Sequence, residues 1–207
     1  QKKRFNTVNP KFNLKGWARW AEEEGIDGRC INFMLMHPEL SEKKEGFNAR
    51  SVTTFFNSIS SIQDFDNQLP MIQMIGEGSV GQEFATMFGL FINNKLDKLI
   101  TPEDIIHKPW ESVKKDMTAA IGKGTLYRAD IAGALTTRVI NYLLSYAGKH
   151  SKVDQKVLDR IETLATEEDD LIANDLKFYM VRSLHSGERA KFQKILNIPK
   201  LNAMLVK

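Results

Sequence analysis

The chain has 207 residues, 42% of them hydrophobic and 27% charged, with a formal net charge of +3, and its charges are interspersed. That composition argues against disorder and for a folded soluble protein with ample material for a core. No stretch is long and apolar enough to span a bilayer, and Gln1-Lys2-Lys3-Arg4 leads into no hydrophobic signal region, so a cytoplasmic protein without a membrane partner is expected.

Hydrophobic spacing is helical almost throughout. Leu14, Trp17, Trp20 and Ala21 mark a first helix that Glu24-Gly25 ends, and Ile31, Phe33, Met34 and Leu35 mark a second that His37-Pro38 stops. Cys30, the single cysteine, sits among these apolar residues and reads as core; alone, it forms no internal disulfide. A third helix carries Val52, Phe55, Phe56, Ile59 and Ile62, and residues 64–67 read as a turn. Ser79-Val80-Gly81-Gln82 has the spacing of a capping box and is expected to open a helix with Phe84, Met87, Phe88 and Phe91. Thr101-Pro102-Glu103-Asp104 is another start signal, with threonine as N-cap, proline at the first helical position and acids in the first turn.

His107-Lys108-Pro109 interrupts the pattern and marks a weak boundary. Beyond it, Trp110, Val113 and Met117 give one helix. The most strongly amphipathic segment follows through Ile131, Leu135, Val139, Tyr142 and Tyr146, with Asp130, Arg138 and Asn141 expected on other faces. Helices through residues 153–164 and 171–184 and a short one after Pro199 complete an all-α reading. We expect about ten helices in two poorly separated bundles, residues 1–107 and 108–207. The first 105 residues carry 12 Lys and Arg against 14 acids and the remainder 17 against 12, so the second region is the basic one.

A self-contained active site is not legible. Gly76-Glu77-Gly78-Ser79-Val80-Gly81 is a literal G-x-G-x-x-G, and Asp97 lies near the distance at which an acid would hold a ribose. A dinucleotide fold would need buried strands around that loop, whereas the surrounding spacing is helical, so the glycines read as a turn before Ser79. Gly122-Lys123-Gly124-Thr125 lacks the first glycine of a P-loop, since Met117 stands there, and reads as a flexible inter-helix turn. His37, His107, His150 and His185 are scattered without zinc spacing, and residues 167–170 read as an acidic helix start.

Asn48-Ala49-Arg50-Ser51 places a cation in the first turn of an apolar helix, against the helix dipole. Three partners fit that position: a surface carboxylate such as Glu45, the end of a neighbouring element that Arg50 would cap, or a phosphate.

Arg4-Phe5, Trp17-Ala18-Arg19-Trp20-Ala21, Ile26-Asp27, Ile31-Asn32-Phe33-Met34, His37-Pro38-Glu39-Leu40, Asn48-Ala49-Arg50-Ser51 and Val80-Gly81-Gln82-Glu83-Phe84 occur in order. Together they resemble the segment that follows the nucleotide-binding core in bacteriophage MoxR-like AAA+ ATPases. Tyr127-Arg128-Ala129-Asp130-Ile131 and Leu135-Thr136-Thr137-Arg138 are similar to the continuation in some of those proteins. The resemblance spans about 80 residues and thins beyond residue 145.

The resemblance implies a helical lid over ATP, with Arg50 as the sensor 2 arginine that reaches the phosphates and Arg4 as a candidate arginine finger toward a neighbouring subunit. Ala49 departs from the family's proline, and Lys2 and Lys3 crowd Arg4. No Walker A lysine and no strand ending in paired acids is present, so ATP and Mg²⁺ would belong to a longer parent protein and neither would be bound by this chain alone. The implied partners are an upstream AAA+ core, neighbouring subunits of an oligomer, and a client protein in the bacterial host cell. Nucleic acid is a further candidate, through Arg128, Arg138 and Lys149, which are expected to be exposed on the extension. The alternative is a stand-alone helical module that binds protein or DNA and has no nucleotide role.

Overall fold

A computed structural model describes residues 12–42, 48–167 and 171–205. It is 77% helical with no strand among the described residues, in agreement with the all-α expectation, and ten of its helices have seven residues or more. The elements are α1 (Leu14–Glu23), α2 (Gly28–Met36), α3 (Glu39–Glu42), α4 (Ala49–Ile59), α5 (Leu69–Val80), α6 (Gln82–Asn93), α7 (Pro102–His107), α8 (Trp110–Ile121), α9 (Ala129–Lys149), α10 (Gln155–Thr166), α11 (Asn174–Gly187), α12 (Arg189–Phe192) and α13 (Pro199–Leu205).

Local chemistry explains four of the starts. Asn13, Asp27, Asn48 and Thr101 each accept a hydrogen bond from a first-turn amide, satisfying a donor that the helix itself leaves unpaired. Pro102 takes the first position of α7, where its missing N–H costs nothing. Gly122 and Gly124 adopt positive φ angles of 75° and 57° in the turn between α8 and α9, which bears out the inter-helix turn reading of residues 122–125.

The glycine-rich segment differs from its sequence reading. Residues 71–75 are helical and α5 continues through Gly76, Gly78 and Ser79 to Val80; the break comes at Gly81, with φ of 91°. Ser79 is therefore not an N-cap: its Oγ donates to the carbonyl of Ile75 at 2.7 Å, one turn back in α5. Close packing accounts for Gly76, because a Cβ there would lie 3.0 Å from that of Ala85 in α6 and 3.3 Å from the Phe55 ring in α4. The strand that a dinucleotide loop requires is absent among the described residues.

One connected core runs from Trp17 to Leu201. In its first part Phe33, Phe55, Phe84, Phe88 and Phe91 meet mainly edge to face, as at the 4.9 Å, 86° contact of Phe33 with Phe88. Each fully buried phenylalanine contributes roughly 1.5–3 kcal/mol from area removed from water. Trp20, expected to mark the inner face of α1, is instead 41% exposed, and Trp17 is the buried one.

Helix α9 is the longest, at 21 residues, and touches α1, α2, α7, α8 and α11. The residue 107/108 boundary falls in the Lys108-Pro109 link between α7 and α8. Arg138 is the principal departure from expectation on α9. It lies three residues after Leu135 and one before Val139, inside the apolar stripe, and is 6% exposed; Asn141 is 7% exposed. Neither faces solvent.

Candidate functional site

Arg50 occupies the first turn of α4, and its exposed side chain projects from a helix whose other face is fixed by buried Val52, Phe55, Phe56 and Ile59. Its backbone amide is held by Asn48 Oδ1 at 2.9 Å. One turn on, Thr53 Oγ1 donates to the carbonyl of Ala49 at 2.9 Å and accepts from Trp17 Nε1 at 3.4 Å. Trp17 also packs on Phe56, with ring centroids 6.1 Å apart. This first turn is thereby braced against α1, while the Arg50 guanidinium has no ion-pair partner among the described residues. Arg4 and Glu45 lie outside the described residues, so neither the finger position nor the alternative surface pair belongs to this geometry.

The three cations expected to face a partner have different fates. Arg128 is pinned by Asp130 through a fork of two hydrogen bonds, 3.0 Å at Nε and 2.6 Å at Nη2. Those bonds hold the Asp130 carboxyl below the usual carboxylate range. Lys149 is exposed. Arg138 is consumed internally: its Nε donates to Glu22 Oε1 at 2.6 Å and its Nη1 to Asn32 Oδ1 at 3.2 Å. Gly28 makes room for the guanidinium, since a Cβ there would lie 2.5 Å from Nη2. Sequence spacing contained the signal for this burial, in the position of Arg138 beside Leu135 and Val139, but its partners lie more than 100 residues away.

No family model, no curated protein and no solved structure matches the chain. Its own surface therefore carries the remaining argument. A cleft of about 630 Å³ lies between the segment around residues 94–104 and α8–α9; Lys95, Lys98, Asp104, Asp116 and Arg128 are among its walls. Its cations are engaged: Lys95 and Lys98 each reach an oxygen of Asp66 at 2.7 Å. Their hydrogen bonds draw the Asp66 carboxyl below its ordinary range.

A smaller hollow of about 290 Å³ is lined by Glu22, Tyr142, Ser145, Tyr146, Lys149 and His150. Along it runs a ladder of rings. His107 Nε2 lies 2.9 Å from the Tyr142 hydroxyl, Tyr142 stacks loosely on Tyr146, and His150 stacks on Tyr146 at 4.1 Å. The Tyr146 hydroxyl donates to Asp154 at 2.8 Å, which raises its ionisation above that of a free tyrosine. Among the described residues no group of three His, Cys, Asp or Glu side chains is arranged to hold a metal. Glu167, expected in a solvated acidic start, pairs with Lys114 at 2.7 Å, and its carbonyl receives buried Lys177; residues 168–170 lie outside the described residues.

Proposed function

We propose that the chain is the helical lid and C-terminal extension of a MoxR-like AAA+ ATPase, with Arg50 as the lid arginine that senses the phosphates of ATP. One observation carries the reading: an exposed guanidinium, without an ion-pair partner among the described residues, stands at the start of a helix braced on its inner face. A planar fork of N–H donors suits two phosphate oxygens, and the positive end of α4 reinforces attraction for an anion.

ATP supplies the phosphate chain, and Mg²⁺ its counter-charge, in such a protein. The residues described fit only one part of that site. They offer Arg50 toward phosphate, and they offer neither a metal-holding acidic cluster nor a strand-borne phosphate loop. An upstream AAA+ core and a neighbouring subunit would supply the rest, with Arg4 as the candidate finger across that interface. Within this chain the contribution of Arg50 is to bind and orient. Its rigid attachment through Thr53 and Trp17 to α1 would transmit phosphate occupancy to the rest of the helical body. A client protein contacting the extension would receive that motion.

The test uses the intact protein with its core domain. Arg50→Ala is expected to lower ATP turnover about tenfold or more, since a lost charge-assisted interaction is worth roughly 1.5–3 kcal/mol and about 1.4 kcal/mol is a factor of ten. Helicity should be retained, because the Arg50 side chain is exposed and makes no hydrogen bond, ion pair or ring contact among the described residues. Unchanged turnover would remove the sensing role.

A further inference from the structure

We propose that the C-terminal cap formed by α11, α12 and α13 is a docking surface for the phosphodiester backbone of nucleic acid, independent of the nucleotide role assigned to Arg50. The first observation is where the charge is concentrated. Residues 174–205 carry six Lys and Arg against two acids, Asp175 and Glu188, whereas the rest of the chain carries 23 against 24. The whole excess of positive charge resides in this cap.

The second observation is which of those cations remain available. Elsewhere many surface cations are neutralised at short range: Arg19 by Glu23, Lys95 and Lys98 by Asp66, Lys108 by Asp104, Lys114 by Glu167 and Arg128 by Asp130. Within the cap, Lys177 and Lys191 are spent internally, donating to the carbonyls of Glu167 and Ala147. Arg182, Arg189 and Lys194 stand exposed, with no carboxylate partner among the described residues. Arg182 lies over the Phe178 ring, its guanidinium carbon 6.0 Å from the centroid, and Lys15 from α1 lies over the neighbouring Tyr179 ring at 4.2 Å, so each of these two adjacent rings of α11 carries a cation.

The third observation distinguishes nucleic acid from an acidic protein. Protein interfaces have an apolar, aromatic-rich centre, whereas nucleic-acid interfaces are more polar and strongly positive. Among the described side chains the exposed large hydrophobics are Trp20, Met71, Met74, Leu90 and Leu126, none of them in the cap. Around its cations the cap instead exposes Ser186, Gln193, Asn197 and Asn202, neutral groups of the kind that contact phosphate and sugar.

The experiment is fluorescence anisotropy of a labelled DNA duplex titrated with the full chain. Three neutralised phosphates give a log–log salt slope near −2.7, so affinity should fall roughly 40-fold between ~50 and ~200 mM salt. Arg182→Ala/Arg189→Ala/Lys194→Ala should lose at least about tenfold in affinity at ~50 mM salt and most of the slope, with unchanged helicity. Lys95→Ala/Lys98→Ala should bind like the parent. No binding at low salt, equal binding by the triple variant, or equal loss in the Lys95/Lys98 variant would each overturn the proposal. Competition by polyglutamate as strong as by unlabelled duplex would overturn it in favour of an acidic polypeptide partner.

Discussion

Arg138 Nε donates to Glu22 Oε1 across 2.6 Å, joining the middle of α9 to α1 over 116 residues of sequence. The pair is inside the fold, with side-chain exposures of 7% and 17%, and Asn32 of α2 takes a second guanidinium hydrogen. Such a pair adds little relative to apolar residues that fill the same space, but removing one partner leaves a charge without compensation.

Glu22→Ala should therefore destabilise the chain by about 3 kcal/mol, at the lower end for a broken buried pair because Glu22 keeps some solvent contact. Replacing both partners, as in Glu22→Leu/Arg138→Met, should recover most of that loss. Urea denaturation of the three proteins decides it; a double variant as unstable as Glu22→Ala would show that the pair does more than neutralise itself.

Gly28→Ala probes the same site from α2. The added Cβ would lie 2.5 Å from Arg138 Nη2 and 3.0 Å from its central carbon, so the guanidinium must move and its bonds to Glu22 and Asn32 must lengthen. We expect a cost of about 1–3 kcal/mol in the native background and none in an Arg138→Ala background, where alanine's helix preference is free to act. Additive effects in the double-mutant cycle would contradict the coupling.

Gly76 and Gly78 share a motif but not an environment. Gly76→Ala pushes a methyl against Ala85 and Phe55, at 3.0 and 3.3 Å, and should destabilise by roughly 1–3 kcal/mol. A Cβ on Gly78 meets nothing within 4 Å, so Gly78→Ala should stabilise α5 by up to about 1 kcal/mol. Thermal melts of opposite sign are the expected result.

Alkaline pH should act on the ring ladder. The Asp154 hydrogen bond and charge raise the ionisation of Tyr146, and burial together with Glu103 raises that of Tyr142. The neutral phenol is favoured in the fold, so its stabilisation is present below the ordinary value of about 10 and is lost as pH rises through the raised folded value. Phenolate absorbance should show Asp154→Asn ionising one tyrosine at lower pH than the parent, and the melting temperature of the parent should fall at pH above about 10. Superimposable titration curves would separate Tyr146 from Asp154.

Much of the architecture was legible before any coordinates. The Thr101-Pro102 start, the glycine turn at residues 122–125, the placement of Cys30 in the core and the all-α class rest on interactions within a few residues, which sequence displays directly. The place of Arg50 in the first turn of α4 was legible for the same reason, and the structure adds Asn48 as the cap that holds its amide. Gly76 was misread because capping-box spacing at residues 79–82 looks the same whether or not α4 and α6 approach closely enough to require glycine one turn earlier.

Amino-acid order by itself determined the helices, their local caps and the net excess of positive charge, because each depends on near neighbours or on counting. Only the tertiary structure decided which cations remain available. Arg138 reads as a surface charge until Glu22, Asn32 and Gly28 surround it, while Arg182, Arg189 and Lys194 read like any other basic residues until no described acid is found beside them. Charge is set by residue type; its availability is set by which distant groups the fold brings within hydrogen-bonding reach.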